Sequence, residues 1–348
     1  MAFALLAAFP TSPTAQQQIP DERNIFRLVT FQTTGDLRLG ATQGNGEADI
    51  VDIHNAIAAL TAINAPEVRN LPVVPIDMRS LIEEGDAAIQ SVKTVYRAAL
   101  GLRSSGKLAD TGERRVFYAP SAVRLRTPIP NVRKVFGMAN NYIEEGAEIS
   151  KIPSFFLKSV ESIIGPGDPI VVSDFLLEGV KSCTSGFCDN THEPELAFII
   201  GRRAENVSEA EAMNYVLGYT IHNDVSGRSL PTGRTGTEGS SMTKGLRSFG
   251  PTGPYITLKE DVPDPYNLGI VARVNGRVVN IPNGNTKYMV HRIARAVSML
   301  SRIMTLEPGD IVATGVPDPD TALTVGDTIE AAVERLGTLR NPVVGERN

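Results

Sequence analysis

The stretch EPELAFIIG, Glu193 to Gly201, places two carboxylates at the entrance of an apolar run, and no other feature restricts the fold as strongly. Pro194–Ile200 reads as a core strand that stops at Gly201. Side chains alternate along a strand, so Glu193 and Glu195, two apart, share a face and lie a few ångströms from each other. Two glutamates on a half-exposed strand ordinarily form a solvated face. Glu195 immediately precedes LAFIIG, however, and a carboxylate that introduces a core strand requires a partner. Asp224, in HNDVS on or just after the following strand Tyr219–Val225, joins the pair if the two strands are neighbours. Three oxygen donors without a Cys or His cluster suit a hard ion such as Mg²⁺, with water or substrate oxygens completing the octahedron.

The remaining sequence frames this cluster in a β-rich α+β protein. Gly and Pro number 31 and 23 among 348 residues, which favours strands and loops over a helical bundle. With 42% hydrophobic and 21% charged residues the chain is globular rather than disordered. A formal charge of -5 gives no pull toward nucleic acid. Four His and two Cys leave little room for a Cys/His zinc site or an Fe–S cluster. No GxGxxG follows a strand, and GRTGTEGSSMTKG, Gly233 to Gly245, lacks the compact spacing of a phosphate-cradling loop.

Three segments are expected: a flexible N-terminus (1–22), a small N-terminal α+β domain (23–131) and a catalytic domain (132–348). In the first domain Arg27–Gly40 alternates as a hairpin turning near Gly35–Asp36. Val51–Leu60 predicts a short helix and Leu81–Leu100 a longer amphipathic one, while Pro120–Pro130 reads as a linker or docking strand. Further on, Ser208 and Glu211 form a capping box opening a helix to about Leu217. Tyr255–Leu258, Leu268–Val274 and Ile311–Thr314 read as strands, Lys287–Met304 as the best helix, and the chain ends in two strands joined near Gly337.

The apolar run Ala2–Phe9 is far shorter than the roughly 20 residues that span a bilayer, and no basic segment precedes it. A cytoplasmic, non-membrane protein is expected. Cys183 and Cys188, in CTSGFC, are read as reduced thiols, with a disulfide in an exported protein as the alternative.

Several motifs, correctly ordered from Val132 to the end, resemble the fumarylacetoacetate hydrolase (FAH) family. They include FFLKS at Phe155–Ser159, IIGPGDPI at Ile163–Ile170, EPELAFIIGR at Glu193–Arg202 and GYTIHNDVSGR at Gly218–Arg228. MTKGLRSFGPTGPYI at Met242–Ile256, NGNTKYMV at Asn283–Val290 and LEPGDIVATGVP at Leu306–Pro317 complete the set. The resemblance implies an FAH-type core, a mixed β-sandwich or roll, behind a smaller N-terminal domain, and a homodimer. It implies that Glu193, Glu195 and Asp224 hold Mg²⁺ or Mn²⁺ and that Lys244 is an active-site lysine. Tyr142, Arg228, Asn285, Thr286, Thr314 and Gly315 are similar to substrate- or pocket-forming positions. A 2-oxo acid or 1,3-dicarbonyl substrate then chelates the metal, a Lewis acid for an enolate-like species.

One departure stands out. Family hydrolases carry N-Y-x-x-H-x-x-E on a lid, whose His–Glu pair activates water. Here the segment is GMANNYIEEGAE: Tyr142 and Glu148 match, but Glu145 stands at the histidine position. Glu145 and Glu148 are therefore the candidate acid–base residues beside Lys244. Family habit places C–C hydrolysis of an acylpyruvate-type substrate first. Dehydration of a 2-keto-3-deoxy sugar acid, decarboxylation or isomerisation on the same metal site are the alternatives, and a catalytically inactive binding relative is a third reading. Among the histidines, His192 should point away from the metal face, His222 shares the face of Asp224, and His291 falls within the expected helix beside Arg292.

Overall fold

The computed structural model describes residues 22–108, 114–143, 150–182, 190–228, 237–279, 281, 283–316 and 322–346. The apolar N-terminal run, Glu145, Glu148, Cys183 and Cys188 lie outside the described residues.

A hairpin opens the fold, β1 (Phe26–Gln32) and β2 (Leu37–Gln43). β3 (Ile50–Asp52) leads into α1 (Ile53–Ala62), capped by the Asp52 carboxylate, which accepts the Asn55 N–H at 3.0 Å. The helix expected from Val51 thus starts at Ile53, because Val51 pairs in the sheet with Ala41. The helix expected over Leu81–Leu100 is two helices, α2 (Met78–Glu84) and α3 (Asp86–Ser104). Gly85 divides them at φ 81° and ψ -157°, a conformation essentially restricted to glycine. β4 (Phe117–Tyr118) and β5 (Arg124–Leu125) follow, and β5 docks on β1.

The remainder supplies β6 (Val135–Ala139), β7 (Ser154–Lys158), β8 (Ile163–Ile164), β9 (Ile170–Val172), α4 (Asp174–Ser182), β10 (Pro194–Ile200) and β11 (Val216–Asn223). It continues through α5 (Thr237–Lys244), β12 (Gly250–Leu258), β13 (Ile270–Val274), β14 (Arg277–Val279), α6 (Ile293–Ile303), β15 (Ile311–Ala313), β16 (Thr328–Val333) and β17 (Gly337–Gly345).

Among the described residues the strands form two sheets. The larger has 12 strands with the order β4-β3-β2-β1-β12-β11-β10-β15-β6-β7, and β5 and β8 attached to β1 and β12; the smaller runs β14-β13-β16-β17-β9. N-terminal strands continue into the later ones across the seam Arg27↔Thr257 and Leu28↔Ile256. β10 lies inside the large sheet and is buried along its whole length. Leu196, Phe198 and Ile200 enter a core shared with α6 and the small sheet, whereas Ala197 and Ile199 enter a core shared with α1, α2 and α3. A strand covered on both faces reads as an uninterrupted apolar run. The α+β class and the β-rich core with a smaller N-terminal region are as expected.

Two further helix expectations need correction. Beyond Ser208 the chain makes one turn, closed by the Glu211 N–H on Ser208 O at 3.2 Å, and then a 3₁₀ segment, Ala212–Tyr215. Ser208 Oγ does donate to Glu211 Oε2 at 2.8 Å, but the chain enters β11 at Val216 before a helix can develop. The helix expected from Lys287 starts at Ile293. The Val290 N–H bonds Asn141 O and the His291 N–H bonds Asn141 Oδ1, both at 2.8 Å, so these donors serve a neighbouring segment instead of a helical turn. His291 consequently precedes α6.

Candidate metal and active site

β10 and β11 run antiparallel, with Glu195 opposite His222 and Pro194 opposite Asn223. Just beyond this ladder the Asp224 N–H donates to Glu193 O at 2.8 Å. Residues opposite each other project to the same face, so Glu193, Glu195 and Asp224 converge. A carboxylate oxygen of each lies within 4.8 Å of the others, and all three residues are buried.

Cationic groups close around them. Lys244, at the end of α5, donates to Glu193 Oε2 at 2.8 Å and to Asp224 Oδ2 at 2.6 Å. Arg228 Nη2 and Ser226 Oγ reach Glu193 Oε1 at 3.4 and 3.3 Å. The Gly315 N–H donates to Glu195 Oε2 at 2.6 Å. Lys158, at the end of β7, bonds Asp224 Oδ1 and also donates to Val225 O at 3.4 Å. This last residue was missed in the sequence, although a signal existed. Phe156 and Lys158 share the buried face of FFLKS, and a buried lysine needs an acid.

The charges of the site set its protonation. Burial, then the charges of Asp224 and Glu193, push the Glu195 carboxyl well above its usual range. Burial would also raise Asp224, but Lys158 and Lys244 override it and hold the carboxyl low. Burial would lower Lys244, yet Asp224, Glu193 and Glu195 raise it, so it stays an ammonium. At Lys158 burial prevails and the pKa falls, although Asp224 opposes this.

Around Thr314 a second group is tied together. Asn141 Nδ2 donates to Thr314 O at 2.8 Å, the Tyr142 hydroxyl lies 3.5 Å from Thr314 Oγ1, and Thr314 Oγ1 donates to Leu196 O at 2.9 Å. Burial raises the Tyr142 pKa, so its phenol stays neutral. Gly315 takes φ 82°, and a Cβ there would meet Met138 O at 3.0 Å, so glycine lets the backbone N–H face Glu195. Asn285 and Thr286 make local bonds: Asn285 Oδ1 accepts the Lys287 N–H, and Thr286 Oγ1 accepts the Leu268 N–H, both at 2.8 Å. They anchor a 3₁₀ turn, and no bond links them to the three carboxylates among the described residues. His222 is buried, its Nδ1 2.9 Å from Thr252 Oγ1, and burial pushes its pKa down to about 3. His192 is buried, and among the described residues neither ring nitrogen has a hydrogen-bond partner.

Three buried carboxylates at this spacing fit a divalent cation. All donors are hard oxygens, and Glu195 in particular sits among like charges that a cation would relieve. The three carboxylates form a site for a divalent-metal cofactor. No helix among the described residues is long and apolar enough to cross a membrane.

Comparison with known proteins agrees with this geometry. The oxaloacetate tautomerase of Xenopus laevis mitochondria is 32% identical over 331 residues, covering 91% of this chain and 90% of the relative. The crystal structure of maleylpyruvate hydrolase from Sphingobium, in complex with manganese(II) and pyruvate, matches at a TM-score of 0.66 and 28% identity, covering 92% of this chain and 99% of that one. A 5-carboxymethyl-2-hydroxymuconate delta-isomerase from Mycobacterium smegmatis matches at 0.63 and 27%, over 92% of this chain and 100% of that one. The family profile of the fumarylacetoacetate hydrolase C-terminal region matches residues 133–344. With the cluster, the fold and this match in hand, the chain belongs to the fumarylacetoacetate hydrolase family.

Proposed function

We propose that this chain is a divalent-metal-dependent isomerase, a keto–enol tautomerase of a small 2-oxo dicarboxylic acid, with oxaloacetate as first candidate. The sequence placed C–C hydrolysis first; the relatives named as oxaloacetate tautomerases weigh toward the isomerase alternative. The observation that carries the proposal is the buried triad with the Lys244 ammonium against it, in a chain whose lid sequence offers carboxylates and no histidine. Tautomerisation needs a base at carbon and a cationic seat for an enolate oxygen, and it needs no activated water.

When bound, the divalent ion supplies Lewis acidity toward the 2-oxo oxygen. Glu145, with Glu148 beside it in the lid sequence, takes the C3 proton and returns it at carbon or oxygen. The C–H pair becomes the C2–C3 double bond as the carbonyl pair moves to oxygen, so no atom is gained or lost. Lys244 donates to the oxygen that gains charge, and Arg228 orients a substrate carboxylate. Tyr142 and Thr314 line the adjoining wall. The homodimer expected for the family belongs to the same proposal, with molar mass by light scattering as its check.

The test follows enol oxaloacetate by its absorbance with Mg²⁺ present. Accelerated ketonisation, abolished by chelator and lowered at least about a hundredfold in Glu145→Gln, is the expected result. The second reading, acylpyruvate hydrolysis, draws on the maleylpyruvate hydrolase match. Products that together have gained one water would favour it.

A further inference from the structure

Lys158 takes no part in the chemistry above, yet it is buried in contact with a metal-site carboxylate. Its side chain is 1% exposed, and its Nζ touches Asp224 Oδ1 and Val225 O. Asp224 is thereby divided: Lys158 holds Oδ1, and Oδ2 accepts from Lys244, which also donates to Glu193 Oε2. The lysine stem reaches this point over Gly250, the first residue of β12. A Cβ at Gly250 would stand 3.2 Å from Lys158 Cε, 2.9 Å from Ser162 Oγ and 2.8 Å from Ile163 Cδ1. Gly250 is not among the positive-φ glycines, so its backbone suits any L residue and the requirement there is space.

We infer that Lys158 is a positioning residue: it clamps Asp224 Oδ1 so that the carboxylate offers a single oxygen to the divalent cation, and Gly250 is the gap that admits the clamp. The inference rests on the metal site and not on which reaction the site performs, so it survives failure of the tautomerase proposal.

Charge and geometry predict opposite signs for its removal. A lysine acting only as a nearby positive charge repels the cation, and deleting it tightens binding. A clamp orders a ligand, and deleting it weakens binding, by about 10–100-fold for partners that orient a metal ligand. Mn²⁺ is titrated into full-length wild type, Lys158→Met, Gly250→Ala and the double variant by calorimetry, with electron paramagnetic resonance of the bound ion. Thermal melts of the metal-free proteins verify folding. The expected result is Mn²⁺ affinity weakened about tenfold or more in K158M and several-fold in G250A, which keeps the charge but displaces the stem. The double variant should bind no more weakly than K158M, and the bound-Mn²⁺ spectrum should change in both single variants. Equal or tighter Mn²⁺ binding by K158M, or single effects that add in the double variant, would overturn the clamp. Should K158M fail to fold, G250A decides alone, and unchanged affinity with an unchanged spectrum rejects the inference.

Discussion

At Glu195, burial and the charges of Asp224 and Glu193 push the carboxyl up, while Lys244 and the Gly315 N–H pull it down. Its folded pKa exceeds its unfolded one, so charging it costs stability as pH rises through the carboxylate range, a cost that a bound cation offsets. Glu195→Gln should therefore leave the metal-free urea midpoint unchanged or higher. Excess Mn²⁺ stabilises the wild type by about 3 kcal/mol at a hundred times Kd and should add nothing to the variant; added stabilisation there would exclude Glu195 as a ligand. His192 behaves in the opposite sense. Burial holds its pKa at about 4, below the unfolded value of 6.5. The unfolded state then binds the extra proton, so stability falls as pH drops from 6.5 toward about 4. Between neutral pH and about pH 5 the wild type should lose roughly 2 kcal/mol more than His192→Leu, read from urea midpoints. Equal losses would mean that His192 is protonated in the fold. The triad was legible in the sequence because period two and one neighbouring strand suffice to assemble it. Lys158 was not, because its partner is 66 residues away and only strand order brings β7 behind Asp224.

Secondary-structure elements were legible where local chemistry decides them and illegible where distant groups compete. β10 was placed at its observed bounds, since an apolar run between glycine and carboxylates has few alternatives, whereas β11 starts at Val216 and ends at Asn223 instead of running from Tyr219 to Val225. α6 was extended too far toward its start because Asn141, from a segment about 150 residues away, captures the N–H groups of a helical-looking stretch. Gly85 was a visible break that helical periodicity on both sides concealed. Its backbone at φ 81° and ψ -157° predicts that Gly85→Ala costs about 1–3 kcal/mol in urea unfolding while leaving Mn²⁺ affinity intact. A neutral substitution would mean that α2 and α3 can merge.

Over the whole molecule, the carboxylate cluster sits where β10 and β11 emerge from a sheet that runs from N-terminal strands to β7. Cores on both faces fix β10, so the carboxylates are held by packing before any cation binds. β7 and α5 then bring one lysine to each side of Asp224. Such a rigid, cation-lined seat suits proton transfer at carbon, which asks for no rearrangement of heavy atoms. The most direct measurement is solvent deuterium incorporation at C3 of oxaloacetate in heavy water, with and without Mg²⁺, followed by mass spectrometry. The account predicts metal-dependent exchange faster than the protein-free control, with the carbon skeleton intact. Release of pyruvate and carbon dioxide at the rate of exchange, or exchange no faster than the control, would contradict it.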